Sequence, residues 1–192
     1  MIQPRTVAVF GSSQTELDSS EWADAVTAGA RLASAGMVVV TGGYGGTMEA
    51  VSLGAAGAGG RVIGVTAPTL FPDRRGANSY VHELIEASSL SNRIDLIMGR
   101  ADATLTLSGS LGTATELLTA WNINHIRRLS GHRLLPSTAV GEQWQKVADA
   151  LVMLIGAEIE GIHWANTVDD GVDWIVGELG GVDNPAPPLV SR

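Results

Sequence analysis

The sequence predicts a single-domain α/β protein, a doubly wound parallel sheet flanked by helices. Short apolar runs ending at glycine alternate with segments of helical periodicity along most of the chain. The length of 192 residues suits one domain against a soft prior of about 150 residues each. Glycine supplies 24 residues, well above an average share of roughly 7%, and falls mostly between the apolar runs, where close backbone approach is needed.

Each element has its own justification. Thr6–Phe10 (TVAVF) is apolar throughout, as a strand buried on both faces of a parallel sheet is, and it stops at Gly11. Ser19 or Ser20 can N-cap a helix that sets Trp22, Ala25, Val26, Gly29, Leu32 and Ala33 on one face and stops at Gly36. Residues 37–41 repeat the strand signature, 42–46 form a glycine loop, 47–56 a helix and 61–66 a third strand. Residues 67–78, with Pro68, Pro72 and the charged run Asp73-Arg74-Arg75, make a loop long enough to be a lid or part of a site, or an ordinary surface connection.

A short element near 80–86 leads to a helix over 90–100, whose Leu90, Ile94, Ile97, Met98 and Ala101 recur at helical spacing and are expected to face the core. Residues 103–107 form a strand, 108–112 its loop and 113–126 a helix; a strand near Leu134-Leu135 and helices over 142–155 and 168–179 follow. The domain is expected to span 1–183, with a proline-rich disordered tail over 184–192.

Composition narrows the partners. Twelve Lys and Arg against twenty Asp and Glu give a net charge of −8, which disfavours nucleic-acid polymers and anionic membrane surfaces. Charged residues make up only 17%, below the usual share of about 25%, so part of the surface is expected to be covered in a homo-oligomer. The absence of cysteine removes disulfides and thiolate chemistry and fits a reducing compartment. The first residues lack the pattern of a signal peptide and the apolar runs are too interrupted to span a membrane, so a cytoplasmic protein is expected.

In such a sheet, ligands bind outside the carboxyl ends of the strands. Three loops there are rich in Gly, Ser and Thr: Gly11-Ser12-Ser13, the loop over 42–47 and the loop over 108–113. The latter two share a frame of apolar strand, glycine turn, Gly-Thr and a following Glu (Glu49 and Glu116), and both lead free backbone N–H groups to a helix start, where an anion is favoured. Candidate phosphate-binding positions are Gly11, Ser12, Gly43, Gly45, Gly46, Gly109, Ser110, Leu111, Gly112 and Thr113.

Elimination narrows the chemistry. The dinucleotide fingerprint fails because Met48 stands where its third glycine belongs, and the P-loop fails because the only lysine is Lys146. Ser110 lacks the preceding glycine of a nucleophile elbow, and His82, His125, His132 and His163 show no metal-ligand spacing. Arg93 and Glu116 remain as candidate catalytic residues. Thr113-Ala-Thr-Glu116 also fits a capping box, and Arg93 also fits a solvated helix charge, so spacing alone leaves both readings open.

Residues 92–116 (NRIDLIMGRADATLTLSGSLGTATE) are similar to the LOG family of cytokinin-activating phosphoribohydrolases, whose hallmark is a helical Arg, an Ala-Asp-Ala strand entry and a P-G-G-x-G-T-x-x-E loop. VAVFGSS at 7–13, VVVTGGYGGTME at 38–49 and GRVIGVTAP at 60–68 extend the resemblance. The resemblance implies a Rossmann-like nucleotide-binding fold, an essential Arg93–Glu116 pair and a 5′-phosphate held over 109–113. It further implies hydrolysis of AMP or N6-modified AMP to free base and ribose 5-phosphate, by a dimer or larger oligomer that uses no metal or other cofactor. Ser108 and Ser110 stand where the family has Pro and Gly, and Ile94 where it has Lys. The same superfamily contains non-hydrolytic nucleotide binders and molybdenum-cofactor carriers.

Overall fold

The computed structural model describes residues 3–180 apart from 75 and 160; the tail expected over 184–192 lies outside the described residues. Seven strands form one parallel sheet. β1 (Thr6–Phe10) lies inside it, with β2 (Val38–Thr41), β3 (Val62–Thr66) and β4 (Glu83–Glu86) following on one side and β5 (Ala103–Thr106), β6 (Ser137–Val140) and β7 (Ile162–Ala165) on the other. Val7 faces Val39 across one ladder and Ala103 across the other. The direction of winding reverses between β1 and β5, and in an open parallel sheet that reversal leaves a crevice at the carboxyl ends of the two strands.

Helices cover both faces, and the two-residue period of the strands divides the core between them. Val7, Val9, Val39, Val62 and Leu105 pack under α1 (Ser20–Ser34), α2 (Thr47–Gly57) and α6 (Val168–Gly180). Ala8, Phe10, Val40, Ile63 and Val65 pack under α3 (Leu90–Met98) and α4 (Leu111–Leu129). A third cluster of Leu117, Ala139 and Trp144 seats α5 (Glu142–Ile155), and the Trp144 indole N–H donates to Leu107 O at 3.0 Å. Ser19 caps α1 as expected, accepting from Trp22 N at 3.1 Å.

Several expectations need correction. The helix expected over 113–126 starts two residues earlier, at Leu111, because Ser110 takes the N-cap position in an extended conformation. The strand expected at Leu134-Leu135 lies instead at Ser137–Val140. Leu135 is held by a side chain, since Asn124 Oδ1 accepts from Leu135 N at 2.7 Å and Asn124 Nδ2 donates to Leu135 O at 2.9 Å. β7 was not anticipated. Leu90, expected in the core, is 48% exposed at the rim of a cleft described below.

Candidate active site

The three glycine loops meet at the reversal of winding and are laced together. Ser12 N donates to Ser108 O at 3.1 Å, and Thr47 N donates to Ser12 O at 2.8 Å. The hydroxyls of Thr15 and Thr47 lie 2.7 Å apart. Gly46 makes the second contact possible: its φ is +69°, and a Cβ there would sit 2.5 Å from Ser12 O. The starts of α2 and α4 are thereby drawn to the same end of β1. The first helical bond of α4 runs from Ala114 N to Ser110 O at 2.9 Å, so the N–H groups of Leu111, Gly112 and Thr113 have no acceptor within the helix.

Arg93 is buried, at 7% exposed, and so is not a solvated helix charge. Ser89 caps α3 and accepts from Asn92 N, fixing the turn that carries the guanidinium inward. Arg93 Nε donates to Val65 O at 2.7 Å and Nη2 to Gly42 O at 2.9 Å, so the side chain ties together the carboxyl ends of β2 and β3. A Cβ on Gly42 would lie 1.8 Å from Nη2, and glycine there is the condition for this seat. Desolvation lowers the Arg93 pKa, and the nearby Glu116 opposes that shift.

Glu116 stands on the second turn of α4. Thr113, the partner that a capping box would need, is itself inside the first turn and buried, so the box does not form. Glu116 makes no hydrogen bond among the described residues. Burial pushes its carboxyl pKa up to about 7 from 4.5, with Arg93 pulling the other way. Its residual exposure opens onto the cleft.

That cleft is a cavity of about 330 Å³. Gly11, Arg93, Ser110, Leu111, Gly112, Thr113 and Glu116 line it, together with the apolar side chains of Phe71, Leu90 and Ile94. The other candidate positions lie around it. Gly45 lines an adjoining cavity with Tyr44 and Glu49. Ser12 and Gly109 line a groove behind the α4 start, and Gly43 and Gly46 shape the turn at positive φ. Ser13, Tyr44, Phe71 and Arg74 lie in loops that the sequence flags but are not among its candidate positions; the signal for the last is the charged run in a proline-bounded loop.

Among the described residues, no group of three or more His, Cys, Asp or Glu could hold a metal ion, and no helix is long and apolar enough to cross a membrane. Proteins named cytokinin riboside 5′-monophosphate phosphoribohydrolase from Mycobacterium marinum and Mycobacterium tuberculosis are 35% and 34% identical to this chain over 123 residues. That stretch is 63% of this chain and 64% of the relatives' length, so just under two thirds of them is matched. The structure of the molybdenum cofactor binding protein from Rippkaea orientalis superposes with a TM-score of 0.73 at 20% identity, covering 93% of this chain and 99% of that one, a likeness of fold. A model of the SLOG cluster4 family matches residues 4–144, and the chain belongs to that family.

Proposed function

We propose that the cleft hydrolyses the N-glycosidic bond of AMP or an N6-modified AMP, releasing the free base and ribose 5-phosphate. The observation that carries this reading is Glu116, a carboxylate without a hydrogen-bond partner among the described residues, raised to a pKa of about 7, beside Arg93 and just beyond the first N–H groups of α4, which have no acceptor within the helix. A carboxyl group that titrates near neutrality is suited to proton transfer at physiological pH. Cleavage breaks the bond from C1′ to the base nitrogen and forms a bond from C1′ to the oxygen of water. The positive charge that develops on the ribose is stabilised by the Glu116 carboxylate, which also accepts a proton from the attacking water; the departing base takes up a proton.

The phosphate is assigned to the N–H groups of Leu111, Gly112 and Thr113, in a pocket shaped by Gly11, Ser12, Gly43, Gly45, Gly46, Gly109 and Ser110. Ser110 has a φ of −120°, so its Cβ is accommodated without strain. Arg93 keeps Nη1 for the ligand while its other nitrogens hold the scaffold. The names of the mycobacterial relatives support this reading. No cofactor is invoked, and the chain is proposed to act as a cytoplasmic homo-oligomer.

Glu116→Gln is expected to bind AMP and to lose most hydrolysis, measured by chromatography of released base. Full activity in that variant would remove Glu116 from the mechanism. Ser108 and Ser110 in the phosphate loop favour one alternative, a non-hydrolytic carrier of a nucleotide or of the molybdenum cofactor. Under that alternative, wild-type protein binds AMP and returns it intact after long incubation.

A further inference from the structure

We propose that Arg74, carried by the loop over 67–78, is the cationic binding residue for the phosphate of the ligand. This rests on the reading that the cleft takes a phosphorylated ligand, and not on turnover.

The guanidinium carbon lies 4.3 Å from the Phe71 ring centroid and 4.8 Å from that of Tyr44, and Nη2 donates to Ser13 Oγ at 3.3 Å. The rings themselves meet edge to face at 5.7 Å. Tyr44 is fixed at both ends, since Ala67 N donates to its hydroxyl at 2.8 Å and Asn78 Nδ2 donates to Gly43 O and Tyr44 O at 3.1 and 3.0 Å, while Phe71 N donates to Ala67 O at 3.0 Å. The arginine is therefore held in place before any ligand arrives, which reduces the entropy lost on binding.

Charge and access single it out. Arg93, the other cation lining the cleft, already gives hydrogen bonds to two main-chain carbonyls and is buried. Arg74 has no carboxylate partner among the described residues, and Ser13 is the sole hydrogen-bond acceptor of its guanidinium there. It borders the cleft beside Ser13, Ser110 and Gly112 and also the adjoining cavity of about 410 Å³. Two guanidiniums flank one aromatic pair and concentrate cationic donors at this end of the sheet, alongside the carboxylates of Glu49 and Glu116, in a chain of net charge −8. Such a site suits a phosphomonoester dianion, for which arginine supplies two parallel donors.

Calorimetric titration of the full chain with AMP, ribose 5-phosphate and adenosine tests the assignment. Arg74→Ala is expected to weaken both phosphates by roughly 10- to 100-fold, the effect of losing a hydrogen bond to a charged group. Adenosine should bind the variant as it binds the wild type, or bind neither. Arg74→Lys should recover part of the loss, since it keeps the charge without the stacked fork. Where turnover is measured, KM for AMP rises and kcat holds. Unchanged phosphate affinity in Arg74→Ala, an equal loss of adenosine binding, or a wild-type protein that binds neither phosphate overturns the proposal. A wild-type protein that binds AMP through Arg74 and releases no base sinks the hydrolase reading and leaves this one standing.

Discussion

At the scale of single residues, Glu116 links the cleft to the stability of the protein. Its carboxyl pKa is about 7 in the folded chain against 4.5 as a free side chain. A carboxyl group raised on folding favours the folded state while it is protonated, so its contribution is fully present below pH 4.5 and is lost as pH rises through 7. The whole effect is on the order of 3 kcal/mol at most, because water entering the cleft screens it. Other carboxylates add slopes of their own, so the informative quantity is the difference between two proteins. Urea unfolding from pH 4.5 to 8 should show wild type losing stability relative to Glu116→Gln and levelling off above about pH 7. Parallel curves would place the carboxylate in ordinary solvent.

At the scale of elements, what could be read in advance depended on burial. β1, β2 and β3 are buried on both faces, so TVAVF, VVVT and VIGVT declare themselves as apolar runs. β7 is an edge strand, IHWA, with three half-buried residues before a buried Ala165, and offers neither an apolar run nor a clear alternation. The start of α4 is hard to read because Leu111 looks like loop sequence and is 83% exposed, and a helix that begins there puts Glu116 on the second turn rather than at a capping position. Arg93 and Glu116 were visible as residue types in a motif, whereas the role of Arg74 depends on a ring pair formed by Tyr44 and Phe71, which are 27 positions apart in sequence. Leu134-Leu135 misled because the segment is ordered by Asn124, a fully buried side chain on α4 that also donates to Gly161 O at 2.9 Å. Asn124→Ala strands the N–H of Leu135 in the interior and removes one donor each from the carbonyls of Leu135, which keeps the Ser137 hydroxyl at 3.0 Å, and of Gly161, and should cost about 1–3 kcal/mol in urea unfolding. A cost below about 0.5 kcal/mol would mean that water replaces the amide.

At the scale of the whole molecule, the outer surfaces of α4 and α5 remain to be accounted for. Leu129, Met153, Leu154 and Ile155 are each about 70% exposed or more, and Ile126 is 54% exposed. Leu118, Trp121, Leu151 and Ile155 line a further cavity of about 500 Å³ between the two helices. Residues 151–155 read LVMLI, five apolar side chains in succession on the last turn and a half of α5. Scattered apolar residues are ordinary on a surface, but a continuous patch marks an interaction site. A second copy of the same chain is the partner most in keeping with a sequence of only 17% charged residues, and a twofold contact would bury the patch against itself. The wild-type protein is therefore expected to sediment as a dimer or larger at micromolar concentration. The double substitution Met153→Glu and Leu154→Glu places like charges face to face across a twofold contact and should yield monomers that keep the wild-type circular dichroism spectrum. A monomeric wild-type protein at tens of micromolar would refute self-association. An unchanged assembly in the double variant would move the contact to another face.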